Sequence, residues 1–210
     1  MRKLLTGGIF LLFFLLSPVS AQETGPSQTE IKNWVAVGYF IHIWGLTAGL
    51  SSNLEIHWAS ALIRKTKQVG IALEPPPSPI LQERDFLKKQ KLLNEKVSQY
   101  RSQCLTYLQG KDPRLLAGFY LGSLAAEVQT LAQVFAYTSP HEGIPNARKL
   151  LPKAMSPLRQ FGQALQLSPQ LIEELVLLER EAEQVRNSDD LLRIRSKMGL
   201  WFEYAVLEAF

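Results

Sequence analysis

The stretch that decides the fold is WVAVGYFIHIWGLTAGL, Trp34 to Leu50, seventeen residues without a formal charge. Its apolar residues fall all round a helix of period 3.6, not on one stripe, and such a helix sits either at the centre of a bundle or in a bilayer. A membrane span needs about 20 apolar residues, and Gly38, His42, Gly45, Thr47 and Gly49 dilute this one. The rest of the chain supplies amphipathic segments able to cover it. The reading is a central core helix, running from about Glu30 to Gly49 and opened by a capping-box spacing from Ser27 to Glu30.

Val35, Gly38, His42, Gly45 and Gly49 lie on one line of that helix. A second segment, from about Pro113 to Tyr137, is nearly free of charge after Arg114 except for Glu127, and carries a matching line in Gly118, Gly122, Ala125, Gln129, Ala132 and Ala136. Small residues on both lines let two backbones approach closely, so the two helices are predicted to pack face to face.

Outward from this pair the chain reads as helices punctuated by proline. Ser-Pro or Asp-Pro occurs at Ser78-Pro79, Asp112-Pro113, Ser139-Pro140, Ser156-Pro157 and Ser168-Pro169. A Ser or Asp cap accepts a bond from an orphan amide, and proline at the first helical position has no amide to orphan. Four of the five read as helix starts; Ser139-Pro140 reads as a stop followed by a loop that contains His141. Further helices are expected over about 52–71, 79–109, 145–167 (broken or kinked near Pro152 and Pro157), 169–186, and from the Asn187-Ser188-Asp189 cap onward. Leu93, Val97, Tyr100, Cys104 and Leu108 mark the buried stripe of the third helix, with Gly110 at its C-cap; Leu191, Ile194, Met198, Trp201, Phe202 and Ala205 mark that of the last. No hairpin signal interrupts them. The fold class is all-α, a single-domain bundle of six or seven helices with a central apolar helix, over residues 29–210.

Ahead of the domain stand a positive Arg2-Lys3, an apolar run from Leu4 to Leu16, and Val19 and Ala21 at the small-residue positions of a cleavage site. This predicts a signal peptide over 1–21, cleaved after Ala21, and a polar leader over 22–28. The protein is then periplasmic or secreted. Loss of Arg2 and Lys3 lowers the formal net charge from +4 to +2, which leaves only weak evidence for a nucleic-acid partner, and none is predicted. Cys104 is the single cysteine, so no intrachain disulfide forms, and no Asn begins a glycan acceptor triplet.

Chemistry-bearing motifs are missing. The sequence has no phosphate-binding glycine loop, no Gly-x-Ser-x-Gly elbow, no His-Glu-x-x-His and no Glu-x-x-His pair. Three histidines and one cysteine supply a transition-metal site poorly, so neither a metal, a cofactor nor a catalytic residue is predicted. His42 invites two readings: an anchor for an apolar ligand or flat cofactor lodged among small residues with Gly45, Gln129 and Trp44, or a core histidine bonded to a carbonyl or to Gln129. Trp34, Trp44, Trp58 and Trp201 read as core aromatics. Arg148, Lys149, Lys153 and Arg159 form a basic surface patch in a stretch with no acid between Glu142 and Glu173, facing an acidic partner or a membrane surface. The expected function is that of a non-enzymatic exported interaction or binding module. The alternatives are a helical carrier near His42, and a hydrolase or lyase built from scattered carboxylates such as Glu173, Glu174, Glu179, Glu181 and Glu183.

Overall fold

A computed structural model describes residues 25–47, 52–76, 80 and 82–208, with backbone only for 45–47, 52–58, 86, 207 and 208. The predicted signal peptide, Gly49, Ser78-Pro79 and Phe210 lie outside the described residues, as do the side chains of His57 and Trp58. Within them are seven helices and no strand: α1 Gln28–Thr47, α2 Ser52–Gln68, α3 Phe86–Leu108, α4 Pro113–Tyr137, α5 Pro140–Ala164, α6 Pro169–Glu183 and α7 Ser188–Glu208.

Polar caps set most of the starts. Glu30 N donates to Ser27 Oγ at 3.2 Å, Arg114 N to Asp112 Oδ1 at 2.8 Å, Leu171 N to Ser168 Oγ at 3.4 Å, and Asp190 N to Asn187 Oδ1 at 2.9 Å. The helix expected over 79–109 is interrupted: residues 80 and 82 are helical, 83–85 are not, and α3 begins at Phe86, where Asp85 takes Lys88 N at 2.8 Å. Its far end is closed by Gly110 at φ 73°.

The proline readings need correction around α5. Ser139-Pro140 is a start rather than a stop, so His141 lies in the first helical turn and not in a loop. Ser156-Pro157 starts nothing. One continuous helix runs through Pro145, Pro152 and Pro157. Each proline removes the bond to the carbonyl four residues back, on His141, Arg148 and Lys153, and all three of those residues are exposed, where water takes over the carbonyl. The buried stripe of Gly143, Ala147, Leu151, Met155, Leu158 and Gly162 is untouched.

The close approaches give the topology. Ile31 lies against Gly118, Val35 against Gly118 and Gly122, and Gly38 against Phe119 and Ser123, so α1 and α4 run parallel, joined by the α2–α3 excursion. From α4 onward the chain goes up, down, up, down. Phe135 meets Gly143, and Tyr120 stacks on Phe161 at 5.3 Å (α4–α5). Ile172 meets Gly162 (α5–α6), Trp201 Nε1 donates to Leu171 O at 2.8 Å (α6–α7), and Gly199 faces Gln129 (α7–α4). Helices α4 to α7 therefore close into a four-helix bundle. Helix α1 lies along the outside of α4, covered in turn by α2 and α3.

The packing centre is thus α4, which touches α1, α3, α5 and α7, rather than the helix at Trp34. Helix α1 is nevertheless wrapped on all sides, since no residue from Ile31 to Trp44 is exposed. Among the described residues α4 is the one helix long and apolar enough to cross a membrane by length and composition, and 61% of its most apolar window is buried against its neighbours. The largest fully buried side chains, Trp34, Trp44, Tyr100, Phe119 and Trp201, join the two layers into one core.

Candidate functional site

The α1–α4 seam that holds His42 is closed by backbone. A Cβ built on Gly38 would fall inside the envelope of the Phe119 carbonyl oxygen, and one on Gly122 inside that of the Val35 carbonyl oxygen. Gly118 is next tightest, its Cβ position 3.2 Å from Ile31 O. The small-residue lines read from the sequence do meet, and they leave no gap between the two backbones at those levels.

Of the four residues grouped around the predicted ligand, His42, Gln129 and Trp44 have different neighbours. His42 is half-buried near Arg101 of α3, whose charge also reaches Glu127 of α4; burial first, and the Arg101 charge second, push its imidazole down to about 4. Glu127 is pushed up by burial, with Arg101 opposing. Gln129 turns elsewhere. Its Oε1 accepts from Tyr39 Oη at 3.5 Å, at the limit of a hydrogen bond, while its Nε2 is buried without a partner. Tyr39 in turn stacks on Phe202 of α7 at 4.7 Å. Trp44 is fully buried and stacked on Tyr100 at 5.5 Å, and Tyr100 Oη donates to the Glu74 carbonyl. Gly45 lies in the helical backbone of α1, and what surrounds it is outside the described residues.

Sequence reading missed the Arg101 charge that acts on His42, and Tyr39 as the partner of Gln129. The available signal was Glu127, the lone acid of an otherwise apolar helix. Among the described residues no group of three His, Cys, Asp or Glu converges as a metal site. Burial pushes the Cys104 thiol up to about 12, away from the reactive thiolate.

The basic patch is divided. Arg148 Nε donates to Val185 O at 2.7 Å, tying α5 to the α6–α7 connection, and Arg159 pairs with Glu179 at 3.7 Å. Lys149 and Lys153 are exposed on the same helix.

A different surface carries unspent apolar area. Between α6 and α7 runs a groove of about 300 Å³ floored by Trp201 and Leu178 and walled by Leu177, Leu200 and Tyr204, which stay 50%, 56% and 57% exposed. The Trp201 indole has already given its N–H to Leu171 O, so it offers the groove an apolar ring. Glu174, Glu181 and Lys197 form the rim. Lys197 Nζ sits 2.6 Å from Glu181 Oε1, and Glu181 Oε2 is buried without a partner. Exposed apolar side chains gathered at one place, with a polar rim, mark interaction surfaces; scattered ones do not.

Fold and surface together define an all-helical bundle with a closed apolar interior and an open apolar groove at one edge. No protein-family model, no curated protein and no solved structure matches the chain.

Proposed function

We propose that this chain is an exported, non-enzymatic helical protein that acts by binding another protein. The observation that carries the reading is the α6–α7 groove, where folding leaves Leu177, Leu200 and Tyr204 half in water above a tryptophan floor. Aromatic and aliphatic anchors around such a floor are what a partner's side chains bury. Export rests on the arrangement of residues 1–21 alone. The carrier reading around His42 draws less support, because the α1–α4 seam one turn before His42 is in backbone contact at Gly38 and Gly122.

The test is purification of the tagged chain from the native host after mild crosslinking, with N-terminal sequencing. The expected material begins at Gln22 and carries a stoichiometric protein partner. A chain recovered alone with a Soret band, or with stoichiometric lipid by native mass spectrometry, overturns protein binding in favour of the carrier.

A further inference from the structure

We infer that the α6–α7 groove takes a basic amphipathic helix: an apolar stripe seated on Trp201 between Leu177 and Leu200, with flanking Lys or Arg side chains meeting Glu174 and Glu181. The inference rests on the protein-binding reading and names the chemistry of the partner. Two antiparallel helices leave a rod-shaped furrow, and a third helix fills such a furrow with side chains at i, i+3, i+4 and i+7. An extended peptide has no counterpart here, since the described residues contain no strand edge to add to.

Charge selects the sign of the partner. Of the charged residues that line the groove two are acids, Glu174 and Glu181, and one is a base, Lys197. Glu179 is engaged by Arg159 and one oxygen of Glu181 by Lys197, which leaves Glu174 on the rim with no ion pair among the described residues. Glu174 is therefore the acceptor at the rim, and a cationic side chain entering along the rim meets it while the apolar stripe covers the leucines in the same step. An acidic or purely apolar helix satisfies the leucines and leaves the carboxylates facing like charge or no charge.

The experiment uses the full chain and two synthetic helical peptides with identical leucine stripes, one flanked by lysines and one by glutamates, read by fluorescence anisotropy. The lysine peptide is expected to bind at least ten-fold more tightly, with affinity that falls as salt rises. Leu177→Lys with Leu200→Lys should abolish binding while the thermal melt stays within a few degrees. Glu174→Lys with Glu181→Lys should cancel or invert the preference. Equal binding of both peptides, no binding of either, or retention of the lysine peptide by the leucine double variant overturns the inference. So does a concentration-dependent dimer that Leu200→Lys dissociates, which places a second copy of the chain in the groove. A partner crosslinked equally to wild type and to the leucine double variant would overturn the groove as its seat and leave protein binding standing.

Discussion

Gly38 and Gly122 bring α1 and α4 together until backbone meets backbone, whereas Leu177, Leu200 and Tyr204 hold the edge of α6 and α7 open to water. Both are contacts between two helices with residues at spacings of three and four. Side-chain size sets the outcome. In the seam, missing side chains turn the contact into core and leave tolerance for nothing larger than hydrogen. In the groove, large side chains that folding does not cover leave a surface that association can use.

The seam breaks first. Leu in place of Gly122 must displace the Val35 carbonyl and the turn of α1 that holds it, and backbone yields less readily than a flexible side chain. Gly122→Leu and Gly38→Leu, made singly, are expected to lose about 3 kcal/mol or more in urea unfolding, at the upper end of overpacking effects. Melting curves that superimpose on wild type would show that α1 and α4 are not in backbone contact.

Acid should weaken the seam side. Burial and Arg101 hold His42 down to about 4, against 6.5 when free, so the fold favours the neutral ring. The associated stability is whole above pH 6.5 and is lost as pH falls from there to about 4, by at most about 3 kcal/mol and by less to the extent that water reaches the half-buried ring. Glu127, raised by burial, has the opposite sign and gains as pH falls through its elevated value. The difference between pH 7.5 and 4.5 in urea unfolding should therefore shrink in His42→Gln. An unchanged pH dependence in that variant would mean the imidazole titrates as it does in water.

At the groove, truncation should cost binding more than folding. Leu200 and Leu177 are half solvated, so Leu200→Ala and Leu177→Ala are each expected to lose no more than about 1 kcal/mol of stability. The same variants should weaken the lysine peptide several-fold. If either one melts like a core deletion, the groove is part of the fold rather than a surface set aside.

The sequence reached the seam because small residues at fixed spacing on two nearly uncharged segments are a local pattern, visible without knowing the fold. It reached the caps at Asp112, Ser168 and Asn187 for the same reason. It failed at Ser139, after which the helix admits two residues poor in helix propensity: Gly143, because the Phe135 carbonyl leaves no room for a Cβ, and Pro145, because the carbonyl it frees is in water. The groove, and the grouping of His42, Arg101 and Glu127, depend on which helices become neighbours. Leu177 and Leu200 are ordinary members of separate helices until the up-down-up-down order sets them side by side.

The smallest effect separates a glycine the packing demands from one it merely accepts. Gly199 lies in the interior of α7 opposite Gln129, on a helix–helix contact like Gly122, yet a Cβ there would sit 3.7 Å from Gln129 Oε1, an ordinary van der Waals distance. Nothing has to move. A methyl at that site reduces the freedom of the unfolded chain and restores helix propensity, so Gly199→Ala should stabilise the protein by about 0.5 kcal/mol, read as a rise in the urea midpoint at constant slope. The gain depends on Gln129 keeping its bond from Tyr39 with the methyl alongside. A loss instead would mean that the α4–α7 contact is as tight as the α1–α4 seam, and that side-chain size alone does not distinguish the two faces of α4.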